Sequence, residues 1–448
     1  MNPAERRAVF SLAGLYSFRM LGLFMVLPLL SLYLGDFADS SPLLIGLALG
    51  AYGLTQAVLQ IPFGMLSDRI GRKPVIIAGL LIFCLGSLVA ASAESVLGIV
   101  LGRGLQGAGA IASTVMALAA DVTRDHQRTK AMALIGVSIG FSFCLALVIG
   151  PFVAAWAGLS GVFILTAVLG LTGIFLVIFA IPHSVQLNPY QRDAGTIPQL
   201  LRGAVRDPQL LRLNIGVFVL HFVLMASFLL VPQILESGLN IRREDHWQIY
   251  LTALLLSLVG MVPLMLVAER FSRLKSCFVG AVLLLGLSQL LLWFGAGQRG
   301  IVFAALLIFF VGFNYLEATL PSLISKAAPA GSKGTAMGVY SSCQFFGAFA
   351  GGALGGAVLQ WYSPAMVFAM CATGAAIWVL FSATMSVPRN LDNLVYQFKG
   401  NASDFSRVVD DIRQLQGVEE VILMKDDNIA YLKVDRRLFD KKQFQALY

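Results

Sequence analysis

Four ionisable side chains sit deep inside long apolar stretches of the sequence: Arg19, Arg103, His221 and Glu317. A charge in hydrocarbon is costly unless it faces a polar interior, so such residues mark a route for ions or protons by default. An imidazole titrates near neutrality, and a carboxyl in an apolar cavity holds its proton more tightly than in water; the two together suit proton exchange. His221 follows Arg212 by nine residues and Glu317 precedes Lys326 by nine. At the rise of a helix, both lie about 13 to 14 Å from the same edge of a membrane. Arg19, twelve residues beyond Arg7, lies about 18 Å in, within side-chain reach of that level. Two plainer arrangements compete with a proton route: a fixed Arg19 to Glu317 pair, and a His221 satisfied by a neighbouring hydroxyl.

Other chemistry finds no support. The histidines His126, His183, His221 and His246 are dispersed, and no G-x-x-x-x-G-K-S/T phosphate loop occurs. Cys84, Cys144, Cys277, Cys343 and Cys371 lie in or beside apolar runs without metal-ligand spacing. The expectation is therefore a protein that is no enzyme and that needs no metal or cofactor.

Placing charged groups in apolar runs requires membrane helices around a polar interior. The 448 residues are 58% hydrophobic and only 12% charged, with a mean hydropathy of +0.80, more apolar side chain than a soluble domain hides. A span needs about 20 mostly apolar residues. Runs of that length fall at 8–34, 43–66, 74–92, 96–120, 131–156 and 160–181, then at 210–235, 247–268, 276–297, 301–325, 335–361 and 364–387. The expected organisation is two six-helix bundles, 1–182 and 209–387, joined by a cytoplasmic linker at 183–208 and followed by a soluble domain at 388–448. Pro28, Pro62, Pro151, Pro232, Pro263 and Pro321 predict kinks within the spans. The first run is long enough to span and lacks a cleavage site, so it is expected to be kept.

The net charge of +8 is read as topology rather than as a nucleic-acid footprint. Alternate loops collect nearly all the Arg and Lys, which places both termini on the cytoplasmic side of an inner membrane. The halves echo each other. Pro62 followed by Asp68-Arg69 returns as Pro263 followed by Glu269-Arg270, and Arg128-Thr-Lys-Ala-Met-Ala133 returns as Lys333-Gly-Thr-Ala-Met-Gly338, both roughly 200 residues on. Beyond residue 388, alternating strands and capped helices read as βαββα: strand 393–398, helix 403–415, strands 418–424 and 429–434, helix 438–447. That order suggests a small ferredoxin-like sheet with two helices on one face.

Three motifs carry a resemblance. Gly64-Met-Leu-Ser-Asp68-Arg69-Ile-Gly71-Arg72-Lys73-Pro74 resembles the signature loop of the major facilitator superfamily at every defining position. Arg103-Gly-Leu-Gln106-Gly-Ala-Gly109-Ala is similar to the same family's R-x-x-Q-G element, and Gly150-Pro151 to the Gly-Pro bend of its antiporters, with Ala146 and Ala154-Ala155 standing where that element has glycines. The resemblance covers residues 1–387 as a drug:proton antiporter. The tail, with Tyr16-Ser-Phe-Arg19 and Lys333 to Tyr340, is similar to the YajR-type subgroup of inner-membrane transporters. It implies that Gly64, Asp68, Arg69, Gly71, Arg72 and Lys73 form a latch between the halves in the outward-facing state. It implies that Arg103 takes part in proton coupling, and that Gly150 and Pro151 shape helix packing. In this fold spans one, four, seven and ten line the cavity, and Arg19, Arg103, His221 and Glu317 fall on those spans.

The expected function is a proton-coupled exporter of hydrophobic or amphiphilic small molecules. Met20, Phe24, Gln106, Phe218, Met225 and Asn314 are expected to line its cavity. A proton symporter, or a transporter-like sensor signalling through the tail, are the alternatives. The expected partners are substrate, protons and the lipid bilayer. The tail lacks the C-x-x-C of heavy-metal modules and is expected to regulate, by docking on a protein partner or on the transporter itself.

Overall fold

Hydrocarbon offers backbone groups no water, so the apolar runs close their hydrogen bonds internally as helices. The computed structural model describes residues 1, 3–181, 198–386, 391–397, 412–424, 429–435 and 438–439. Its helices are α1 (Pro3–Met25), α2 (Leu27–Tyr33), α3 (Pro42–Ile70), α4 (Arg72–Ala91), α5 (Val96–Ala108), α6 (Ala112–Asp121), α7 (Asp125–Phe179), α8 (Pro198–Arg206), α9 (Pro208–Gln233), α10 (His246–Arg270), α11 (Leu274–Gly295), α12 (Arg299–Ala327), α13 (Lys333–Trp361) and α14 (Pro364–Ala383). Eleven stretches among the described residues are long and apolar enough to cross a membrane. One of them, Lys130–Phe179, holds two passes: Gly158, at φ 67°, breaks α7 into two limbs. Twelve passes result, six in each half. Large apolar side chains such as Phe152, Trp156, Val259 and Phe294 stand exposed on the outside, the surface lipid covers.

The kinks divide the expectations. Pro62, Pro151, Pro232, Pro263 and Pro321 lie inside continuous helices, whereas the first span breaks into α1 and α2 with Pro28 at the start of α2. The fourth span also breaks, at Gly109–Ile111 between α5 and α6. Part of the expected linker is helical. Leu201 of α8 packs against the core, so that segment lies on the bundle. The rest of the linker, 183–197, lies outside the described residues.

Helix α13 is the element both halves share. Its glycines form two rows. Gly347 and Gly351 face the backbone of α9, where an added Cβ would meet the carbonyl oxygens of Phe218 and Phe222 at 2.2 Å in each case. Gly352 and Gly356 face α3, where it would meet those of Gly46 and Pro42 at 2.5 Å. Only hydrogen fits at such distances, and the gain is backbone-to-backbone packing along the whole crossing.

More contacts between the halves cluster at that same end. The Leu43 amide donates to Gln360 Oε1 at 3.2 Å, Ser31 donates to the Phe228 carbonyl at 3.3 Å, and Gln233 donates to the Ser31 carbonyl at 3.2 Å. Arg243 pairs with Asp36 at 3.3 Å and stands 5.3 Å from the Tyr33 ring centre. This is the end opposite the basic loops.

The tail forms a three-stranded antiparallel sheet, β1 (Asp392–Gln397), β2 (Val418–Met424) and β3 (Ile429–Val434), in the order β1-β3-β2. β1 and β2 therefore run parallel with β3 inserted between them, the split arrangement expected of a ferredoxin-like unit. Most of the first expected helix, 403–415, and nearly all of the second, 438–447, lie outside the described residues. Alternation along β3 sends Tyr431 and Lys433 to one face. That face sits on the turn joining α12 to α13: Tyr431 packs on Ala330 and over Gly331, Lys433 Nζ donates to the carbonyls of Lys326 at 2.9 Å and Ala328 at 2.8 Å, and Glu420 accepts from the Ala330 amide at 3.2 Å. Burial lowers the Lys433 pKa from the ordinary lysine value, with Glu420 and Asp207 opposing.

Two outcomes follow from this packing. Gly352→Val forces a side chain against the Gly46 carbonyl and is expected to cost about 1 to 3 kcal/mol. A lower melting temperature, with Ser31→Cys labelled faster by a thiol reagent, would show that end loosened; an unchanged melting temperature would refute the contact. Lys433→Met removes two charge-assisted bonds and is expected to make undocking of the tail about tenfold more frequent. Faster release of the tail by limited proteolysis, at unchanged membrane insertion, is the measurement.

Candidate functional site

His221 sits on α9 with its Nδ1 3.1 Å from the Val217 carbonyl, one turn back. A carbonyl only accepts, so Nδ1 carries hydrogen and Nε2 of the neutral ring is the acceptor. The Gln344 amide nitrogen of α13 fills that role as donor at 2.8 Å, and its second hydrogen reaches Glu317 Oε1 of α12 at 3.3 Å. Glu317 Oε2 stands 3.7 Å from His221 Nε2 and has no hydrogen-bond partner. One amide thus bridges an imidazole and a carboxylate. A proton arriving at His221 Nε2 turns acceptor into donor. The amide must then rotate to offer its oxygen, while an imidazolium comes to face the carboxylate directly. The glycine row of α13 makes this register possible, since Gln344 lies one turn before Gly347 and His221 nearly one turn after Phe218.

The other two charges belong to a separate network in the first half. Arg19 of α1 donates through Nη2 to Gln56 Oε1 at 2.6 Å and to the Gly109 carbonyl at 3.1 Å, while Gln56 donates to Gln60 at 2.6 Å. At the break between α5 and α6 that carbonyl also accepts from the Ile111 amide at 2.9 Å, so one oxygen serves both the turn and the guanidinium. Arg103 of α5 donates to Gln106 Oε1 at 3.0 Å and to the Ala48 carbonyl at 3.4 Å; Gln106 in turn donates to Ser87 at 2.8 Å. Both arginines approach the ring of Tyr52 of α3, Arg19 at 5.9 Å and Arg103 at 5.1 Å from its centre. Neither guanidinium has a carboxylate among these partners.

A row of aromatic rings runs from the first half to His221. Phe24 of α1 meets Phe143 of α7 edge to face at 4.9 Å, Phe143 stacks with Phe313 of α12 at 6.3 Å, and Phe313 meets the His221 ring at 5.9 Å.

A Major Facilitator Superfamily model matches residues 12–352 and 251–403. The chain belongs to the Major Facilitator Superfamily. It is 42% identical over 446 residues, 99% of its length and 98% of the relative's, to the inner membrane transport protein YajR of Escherichia coli strain K12. It is 28% identical over 336 residues to the multidrug resistance protein MdtH of Aeromonas hydrophila, covering 71% of this chain and 79% of that one. Two solved structures share the fold: the human organic anion transporter MFSD10, at TM-score 0.61 and 18% identity, and the nucleoside transporter NupG, at 0.66 and 12%. Each alignment covers 85% of this chain and all of the other. These relatives are transporters, not enzymes.

The facilitator loop is built within the first half. Gly71, at φ 98°, makes the turn between α3 and α4. Arg72 pairs with Asp68, reaches Asp121 Oδ2 at 3.1 Å and donates to Ser67 at 2.7 Å; Lys73 donates to the Ile181 carbonyl at 2.5 Å. Gly64 is buried and its carbonyl accepts from Ser67, while Arg69 is exposed. A Cβ on Gly150 would lie 2.6 Å from the Met25 carbonyl. The Gly150-Pro151 element thus presses the first limb of α7 on the end of α1.

Of the expected cavity residues, Phe24 joins the aromatic bridge. Gln106 is fully buried in the Arg103 network, and Asn314 donates to Ser257 of α10 at 2.8 Å. Met20 and Met225 are buried and Phe218 half-buried, its ring stacked on Phe222 at 6.2 Å. Tyr52, Gln56, Gln60 and Gln344 escaped the sequence reading because uncharged polar residues on helices two and eleven carry no penalty large enough to mark them.

Gln344→Leu keeps the shape but removes the donor to both His221 and Glu317. Losing the shared donor breaks the bridge between the two side chains, so proton-coupled transport is expected to fall about tenfold at unchanged membrane insertion. A wild-type rate would take Gln344 out of the unit.

Proposed function

We propose that this facilitator is a proton-driven exporter of amphiphilic small molecules, working by rocking of its two six-helix halves about a midplane site. The observation that carries the reading is the His221, Gln344 and Glu317 unit. There an imidazole and a carboxylate, each able to accept a proton, share one bridging donor on the three helices α9, α12 and α13 of one half. Arginine does not give up its proton under these conditions, so Arg19 and Arg103 enter coupling as fixed charges rather than as carriers. The basic loops support an inner-membrane orientation with both termini cytoplasmic. In that orientation the hydrogen bonds and the ion pair described between the halves lie at the outer end, and the molecule faces inward. The Asp68 and Arg72 loop, closed on its own half here, is then free to latch on the other half when the inner end shuts. The relatives named for multidrug resistance favour export.

Everted vesicles loaded with a pH-sensitive dye test this. Addition of a transported compound is expected to release protons from the vesicle lumen in the wild type, and Glu317→Gln is expected to abolish that movement. Proton flow of the opposite sign would make the protein a symporter. Wild-type rates in Glu317→Gln would move the proton site elsewhere.

A further inference from the structure

Two guanidiniums that are 2% and 3% exposed, Arg19 and Arg103, give the first half a fixed charge that its own residues leave unbalanced. Each buried ion costs several kcal/mol when removed from water, and amide or carbonyl oxygens return only part of that cost. The partners present here are all uncharged: Gln56, the Gly109 carbonyl, the Ala48 carbonyl, Gln106 and the face of Tyr52. They also fall short in number. Arg19 Nε, Arg19 Nη1 and the Tyr52 hydroxyl are buried with no hydrogen-bond partner. Buried donors are nearly always satisfied in a native structure, so three unfilled ones around a single ring, beside positive charge, ask for an acceptor carrying negative charge. The chain Phe24, Phe143 and Phe313 offers aromatic surface alongside, starting from a residue on the same helix as Arg19.

We infer that Arg19, Arg103 and Tyr52 form an oxyanion-binding subsite, and that the transported molecules are amphiphiles bearing a carboxylate or a like anionic group on an apolar body. The inference rests on the transport reading for the fate of the ligand, but binding is separate from proton movement. Arg19 and Tyr52 take the oxyanion directly, and Arg103, 5.1 Å from the Tyr52 ring centre, adds charge. The site disfavours lipophilic cations, which meet two fixed positive charges there. His221 and Glu317 lie in the other half, so proton and anion occupy different halves of the molecule.

The test uses purified full-length protein and three probes of one shape: 2-naphthoate, 2-naphthamide and 2-naphthylmethylammonium. Naphthoate is expected to bind and raise the melting temperature, and the neutral and cationic probes to do so at least tenfold more weakly. Arg19→Gln and Arg103→Gln are each expected to weaken naphthoate binding about tenfold or more, with Arg103→Lys recovering part of it. Should the arginine variants fail to fold, Tyr52→Phe, which keeps the ring and removes one unfilled donor, is expected to weaken naphthoate alone by severalfold. Equal binding of the three probes, no binding of naphthoate, or naphthoate binding unchanged in all variants would overturn the subsite. Glu317→Gln separates the two readings: naphthoate binding persists there while proton movement stops.

Discussion

The structure depends on how closely backbone can approach backbone along α13. A membrane helix gains little from burying one apolar side chain against another, because lipid is as apolar as the protein. Close contact must supply the adhesion instead, and α13 achieves it with glycines on two faces, one row against α9 and one against α3. The first row belongs to the interior of the second half and fixes the register that brings Gln344 to His221. The second row belongs to the boundary between the halves, the one that parts in the proposed rocking. One helix therefore serves as a permanent strut on one side and a separable seam on the other, and the polar bridge of the site hangs from it.

The charges divide along the same line. The first half holds two guanidiniums, which only donate; the second holds an imidazole and a carboxylate, which can each accept a proton. The aromatic bridge between them lets the two fields meet across low-dielectric material, where a change of charge on one side is felt more strongly than in water. In the proposed cycle a proton taken up by the second half and an anion held by the first are linked through that field without touching.

The twelve spans, the six-plus-six repeat and the strand order of the tail were legible from period and composition, because hydrocarbon forces long apolar helices and a soluble sheet forces alternation. The four charges were legible for the same reason. What the sequence did not disclose was partnership. Glu317 and Arg19 looked like a candidate pair because depth along a helix is computable, but rotation about the helix axis is not. The structure gives Arg19 to Gln56 and the Gly109 carbonyl, and brings Glu317 to Gln344. Gln344 was invisible beforehand, since an amide in a span is cheap and its meaning lies in which two neighbours it faces. Gly109 was hidden by its motif: the R-x-x-Q-G element reads as continuous helix, whereas the chain breaks there and turns a carbonyl to Arg19.

The tail is placed where these relations are most sensitive. Lys433 caps the carbonyls at the end of α12, and Tyr431 fills the space over Gly331 at the start of the turn into α13. Those two helices carry Glu317 and Gln344. A positive side chain at a helix C-terminus stabilises the last turn through the helix dipole, so docking makes the α12 to α13 turn stiffer and ties the two helices to a common footing. The bridging amide works over a few tenths of an ångström, and its partners sit on separate helices. The domain therefore grips the two helices that carry the site at their shared end, and its described contacts lie on that turn.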